Sequence, residues 1–593
     1  WRAFWASILA YIVLSIIAIV FINVIIFSIS SSFLINKELK IKENTVLEMN
    51  LNFKIGERKG VETTNNFNNP FVISYGIQDI KNTIEKASED DNIKGILLNF
   101  NSANIGMSNM DDLRSSIAKF KSKNKFVIAY SESYSLGAYY LTSVADEIFL
   151  YPEGVVDFRG LSSEIMFFKN ALDDLGVDVK VVRGSNNIYK SAVEPFMYDK
   201  MSPDNREQIT KLLNDIWRNI IHKIKDERDI SLEKLNEIAD SLYCYNAAGC
   251  LNYKLIDNLI YRDQLDSIMK SKITLEENDD INMVSFKKYL KKSQRKNTIK
   301  EITKKGNIAI VYAVGEIISG ESQEGKMGSE TIVKAINKAK NDSLIKAVVL
   351  RVNSPGGSAL ASDVIWRALE LTKKEKPVVV SMGDLAASGG YYISCGADRI
   401  FAGSNTITGS IGVFGVIPNL ENMLNEKVGI TFDRVETNEH ASFSVFSPLD
   451  KKEMDIIQKG VDEIYTTFIT KVAQGRDGLK KNDVNEIARG RVWSGKEALD
   501  LELIDEIGDM NSAINYAANK VGIETDKVEI LEYPERKNDE FMELLSELEF
   551  NGKVDHELNE LIADFHKYYK TIIKPTYNRE RYLTLFPFEI KIY

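Results

Sequence analysis

The stretch GGYYISCGADRIFAGSNT at residues 389–406 has an echo at residues 137–154, GAYYLTSVADEIFLYPEG. A second pair of segments keeps the same spacing: LIKAVVLRVNS at 344–354 repeats NIKGILLNFNS at 92–102. Gly389 and Gly137 are 252 positions apart, and so are Asn353 and Asn101 (389 − 137 and 353 − 101). Two ungapped blocks on one offset establish an internal duplication. Within each copy, apolar runs such as IKAVVLRV and PVVVSM alternate with stretches of helical period such as ASDVIWRALELTKKE. That alternation predicts buried strands joined by helices, and so an α/β domain in each half.

Working outward, the N-terminal domain is expected over residues 44–285 and the C-terminal domain over 306–532, with a basic linker at 286–305 between them. The linker's lysines offer either a surface for anionic lipid or, more simply, a solvated connection. Residues 533–593 fall outside the repeat, and their end, HKYYKTIIKPTYNRERYLTLFPFEIKIY, mixes Tyr and Phe with basic residues. It could dock on a partner subunit, on a membrane surface or on its own domain. At the other end, no charge occurs from Ala3 to Asn36 and Phe4 to Phe27 is almost wholly apolar. A bilayer core needs about 20 helical residues, so one transmembrane anchor is expected within residues 1–33. The apolar run is too long for a cleaved signal peptide. Arg2 precedes the run while Lys37, Lys40 and Lys42 follow it, which by count alone puts the body in the cytoplasm. Because the chain begins with Trp, basic residues ahead of it are expected, and the count is set aside.

With 593 residues, 44% hydrophobic and 27% charged, the chain has the composition of a folded protein with several cores. Its net charge of −10 argues against a nucleic-acid partner. Cys244, Cys250 and Cys395 are too few for a disulfide framework or a zinc site. Buried free thiols are the simpler reading of all three, although Cys244 and Cys250 could pair in an oxidising compartment.

Duplicated domains keep their packing residues in both copies, so a reactive group present in one copy alone is informative. Ser388, in AASGG, falls on Leu136. The Pro355-Gly356-Gly357 turn falls on NSANIG at 101–106 and exists only in the second half. A small-residue turn after an apolar strand suits a nucleophile that backbone must approach closely. The amides of Gly357 and Gly389 are candidate donors to a developing oxyanion. A base is also needed. Of the four histidines, His440 is the one near enough in sequence to be kept as a rival. The better candidate is Lys190, in VVRGSNNIYKSAVEPF at 181–196, which faces Ser442 or Phe443 in the second half. One half has the serine without the lysine and the other the lysine without the serine. A complete pair forms if the halves face each other, within one chain or between subunits. Lysine acts as a base only where burial lowers its pKa from about 10.4 toward neutrality.

The segments YKSAVEPF, RVNSPGGS, AASGGYYIS and TGSIGV, with the anchor and the tandem halves, resemble the long, duplicated form of the bacterial signal peptide peptidase A (protease IV) family. The resemblance implies two tandem crotonase/Clp-protease-like α/β domains and a serine endopeptidase with a Ser/Lys dyad, requiring no metal or other cofactor. Carried over by motif, Ser388 is the nucleophile, Lys190 the general base, Ser410 the hydroxyl that orients the lysine, and Gly357 part of the oxyanion loop. The family further implies apolar peptide substrates such as signal peptide remnants. It implies a homotetramer anchored in the bacterial inner (cytoplasmic) membrane, with lipid around its helix and its body in the periplasm. Two alternatives share the fold: a membrane-anchored scaffold without proteolysis, and an acyl-CoA-processing enzyme of crotonase type.

Overall fold

The computed structural model describes residues 40–63, 71–276, 278–301, 307–535 and 583–585. The expected anchor at 1–33 lies outside the described residues. Among the described residues, no helix is long and apolar enough to cross a membrane.

Each half is built on a parallel sheet, and the two sheets have the same strand order. The first runs Asn282–Ser285, Thr45–Met49, Ile93–Leu98, Phe126–Tyr134, Glu147–Val156, Asn258–Leu259. The second runs Ile530–Tyr533, Ile308–Val314, Ala347–Ser354, Val378–Ala387, Arg399–Ala402, Glu506–Ile507. The central strands read as unbroken apolar runs because helices cover both faces and leave neither to water. Helices repeat with the strands: Ile77–Glu89 and Met107–Lys121 in the first half answer Ser329–Asn341 and Ala359–Lys373 in the second. The duplication is thus one of architecture as well as of sequence.

The cores interleave instead of standing apart. Val492 is buried in the core of the first half, and Val182 in that of the second. Strand Asp178–Arg183 of the first half pairs antiparallel with Phe414–Asn419 of the second over six residues. The basic segment after Ser285 forms a helix, Phe286–Glu301. Its first turns bury Phe286, Tyr289 and Leu290 in the first core, so its start is anchored packing, with the lysines outside. All three cysteines are buried and free.

A buried ionic group joins the halves behind the second sheet. Glu57 accepts from Arg351 Nε at 2.8 Å and from the side-chain amides of Asn353 at 2.7 Å and Asn109 at 3.1 Å. Burial alone would raise the Glu57 carboxyl, but the Arg351 guanidinium and these donors hold it below its ordinary value. Asn353 in turn accepts from Leu385 N at 3.1 Å, at the point where the register between strands Ala347–Ser354 and Val378–Ala387 shifts. Both strands lead directly into the motifs singled out above.

Candidate active site

Strand Val378–Ala387 ends at Ser388, and helix Gly389–Ser394 begins at once. Between them Ser388 takes φ 58° and ψ −115°, a region that L-residues occupy only at a cost of about 1–3 kcal/mol. Its N–H bonds Gly409 O at 2.8 Å, and its carbonyl accepts from Tyr392 N at 2.8 Å, which fix the turn. The first half has no such distortion. There Ser135 caps the helix through its side chain, and Leu136, at the position of the serine, opens an ordinary turn and is buried. The strained backbone therefore accompanies the serine and not the fold.

Lys190 arrives from the other half at the end of a turn that follows strand Asp178–Arg183. That turn is stitched to the second half by backbone. Gly184 N bonds Val413 O at 3.1 Å, Tyr189 N bonds Arg489 O at 3.0 Å, and Gly490 N bonds Ile411 O at 2.8 Å. Asn187 Nδ2 adds a bond to Val413 O at 3.1 Å. Beyond the lysine, the SAVEPF segment forms a short 3-10 helix. Buried Glu194 secures it by accepting from Ser202 Oγ at 2.6 Å and Asn205 Nδ2 at 2.9 Å.

Lys190 Nζ lies 2.7 Å from Ser388 Oγ, 2.9 Å from Ser410 Oγ and 2.9 Å from Ser410 O. All three residues are wholly shielded from solvent. No carboxylate is among the bonded partners of the amine, and burial drives the ammonium well below the usual lysine range. The three contacts suit a neutral amine: two N–H groups go to the oxygens of Ser410, and the lone pair is left to accept the Ser388 hydroxyl hydrogen. Such an arrangement can take a proton from a serine oxygen as it attacks. The meeting occurs within one chain.

The remaining sequence candidates are distributed around this centre. Gly389 opens the helix after the serine. Gly357 sits in the short strand Gly356–Ser358 at φ 155°, and a Cβ there would overlap Ile317 O. The loop leading to it packs on the serine helix, since a Cβ on Gly390 would lie 2.8 Å from Ser354 O. The rival base, His440, is held elsewhere, with Nδ1 3.1 Å from Glu453 Oε1. Sequence reasoning passed over Gly490 and Glu57. The first lies in ARGR, where a lone glycine carries no particular signal; the second is one glutamate in a charged stretch.

Comparison with known proteins follows from this geometry. The sequence profile described as Peptidase family S49 matches twice, at residues 119–276 and 370–524, once in each half. "Protease 4" of Haemophilus influenzae is 39% identical over 452 residues, covering 75% of this chain and 72% of that protein. "Serine protease SPPA, chloroplastic" of Arabidopsis thaliana is 28% identical over 494 residues, covering 82% of this chain and 71% of that one. "Putative signal peptide peptidase SppA" of Enterococcus faecium is 34% identical over 220 residues, covering 36% and 62%.

Proposed function

The chain belongs to peptidase family S49 in its tandem-duplicated form and is a serine protease, and from that premise we propose that Ser388 is its nucleophile and Lys190 its general base. The observation that carries the reading is the 2.7 Å approach of Lys190 Nζ to Ser388 Oγ in a water-free setting.

In this mechanism the neutral amine of Lys190 takes the hydroxyl proton as Ser388 Oγ attacks the scissile carbonyl. Ser410 holds the resulting ammonium through its hydroxyl and carbonyl oxygens. Amides of Gly357 and Gly389 receive the oxyanion, a contribution of about 3–4 kcal/mol per donor in such sites. Lys190 then gives its proton to the leaving amine, the peptide bond breaks, and an acyl-Ser388 ester remains. Water attacks that ester, with the same amine accepting its proton, and releases the acid and free serine.

The reading extends to substrate and place. Apolar peptides, signal peptide remnants among them, are the proposed substrates; the name of the Enterococcus faecium relative supports this. The uncharged run from Ala3 to Asn36 supports a single anchor in a bacterial inner membrane, with the body in the periplasm. Crotonase/Clp-protease-like ancestry for both halves, and assembly as a homotetramer, complete the proposal. The shared strand order of the two sheets supports the common ancestry.

The test is covalent labelling with a serine-reactive peptidyl fluorophosphonate, with the modified residue mapped, alongside cleavage of an apolar reporter peptide. Label on Ser388, and loss of cleavage in both Ser388→Ala and Lys190→Ala, is the expected result. Full cleavage by either variant overturns the dyad.

A further inference from the structure

The short glycine strand Gly356–Ser358 and the strand Phe414–Asn419 belong to one six-stranded sheet, yet they do not touch each other. The order is Lys326–Gly328, Glu316–Ile318, Gly356–Ser358, Leu583–Leu585, Phe414–Asn419, Asp178–Arg183. Residues from near the chain's C-terminus are the single strand that joins the two parts. Leu585, Thr584 and Leu583 pair antiparallel with Gly356, Gly357 and Ser358. On its other side Leu583 pairs antiparallel with Phe414. Adjacent strands lie about 4.8 Å apart, so without this segment the two facing edges would bound a slot one strand wide, roughly 10 Å across.

Both walls of the slot grow out of the candidate active site. The glycine strand follows Ser354, which packs on the helix that begins at Gly389. Phe414 stands four positions after Ser410, the residue that holds Lys190 Nζ. A chain lying between these walls offers its main chain to backbone on both sides. Main-chain pairing of this kind binds extended peptides with little regard to their side chains. Gly357 bears directly on this: it is opposite Thr584 and has no room for a side chain toward Ile317.

We infer that this slot is the site where a peptide substrate binds, as an extended strand antiparallel to Gly356–Ser358, and that Leu583–Leu585 is its resident occupant, which incoming substrate must displace. The inference rests on the protease reading above and adds to it a conformation, a direction and an internal competitor. Substrates then need a backbone N–H at the residue that replaces Thr584, so proline there is excluded.

Thr584→Pro tests this, because it removes the N–H opposite Gly357 and touches no part of the proposed dyad. With the slot occupied in nine chains of ten, opening it lowers KM for an apolar reporter peptide about tenfold and leaves kcat unchanged. A synthetic peptide spanning residues 580–588, added to the variant, should inhibit competitively. Amide exchange at Gly356–Ser358 and Phe414 should quicken in the variant. A second pair of proteins separates this inference from the protease reading: fluorescent-peptide binding to Ser388→Ala with and without Thr584→Pro. Tighter binding on adding Thr584→Pro supports the slot even if the wild-type chain cleaves nothing, in which case the protease reading alone fails. Unchanged binding, KM and amide exchange in a chain that does cleave through Ser388 overturn the slot and leave the protease reading standing.

Discussion

Gly490 presses against Lys190: a Cβ built on this glycine would stand 2.6 Å from the lysine Cβ and 2.7 Å from its backbone nitrogen. Gly490 also has φ 81°, a conformation that disfavours any side chain. The second half thus fixes the lysine by backbone contact alone, without a charged partner. Gly490→Ala is expected to fold and to shift the amine from Ser388. Displacements of about 1 Å cost on the order of a hundredfold in rate. Steady-state kinetics on purified variant, with circular dichroism to verify folding, check this; unchanged kcat would mean that the contact does not position the base.

Lys190 should cost the fold stability at neutral pH. Its pKa is lowered in the native state by burial, whereas the unfolded chain keeps a lysine of about 10.4. Between those two values the unfolded state binds the extra proton, so native stability rises with pH, by up to about 1.4 kcal/mol per pH unit. Lys190→Met keeps the bulk and abolishes this slope. The variant should be more stable than the parent at neutral pH, with the gain shrinking toward about pH 10. Urea unfolding across that range measures it, and a gain independent of pH would mean a lysine charged in the native state.

Ser410 has φ 51°, which glycine tolerates, so Ser410→Gly removes the hydroxyl with little backbone penalty. The Ser410 carbonyl remains to hold Lys190. Loss of one such hydrogen bond, about 1–2 kcal/mol, lowers kcat roughly tenfold with KM unaltered. The hydroxyl accepts more strongly from an ammonium than from an amine, so the acid limb of the kcat profile should also move to lower pH. A change confined to KM would assign Ser410 to substrate contact instead.

Glu57→Gln leaves the Arg351 guanidinium buried without its counter-charge. Breaking such a pair costs about 3–5 kcal/mol, read as a lower urea midpoint. Replacing both residues, Glu57→Leu with Arg351→Met, should recover much of the loss. If the single variant unfolds at the same midpoint as the parent, the ion pair does not clamp the halves.

The duplication and the serine were legible because they leave marks in sequence: a constant offset, and a reactive residue where the other copy has Leu136. Lys190 was legible only by complementarity, as the base missing from the serine's own half. What stayed hidden is what depends on approach between distant segments. Glu57 meets Arg351 and Asn353 from 294 and 296 positions away, and one glutamate in a charged stretch does not announce a buried partner. Gly490 is informative only once Lys190 is known to lie on it. The helix Phe286–Glu301 reads as a solvated linker because lysines dominate it, while three apolar residues at its start decide its place. The tail was left open among three surfaces, and its strand Leu583–Leu585 lies across the glycine turn of its own second half.

The stitching of the Lys190 turn to residues 411–413 and 489–490 bears on how such a chain is made. A ribosome releases the lysine roughly two hundred residues before the serine and three hundred before Gly490 closes on it. Until then the amine is in water with an ordinary pKa, charged and useless as a base. On the proposed mechanism, nascent and half-folded chains are inert toward their neighbours, and proteolytic power arises in the last step of folding. The division of the dyad between two copies thus does for this enzyme what a removable pro-segment does for others.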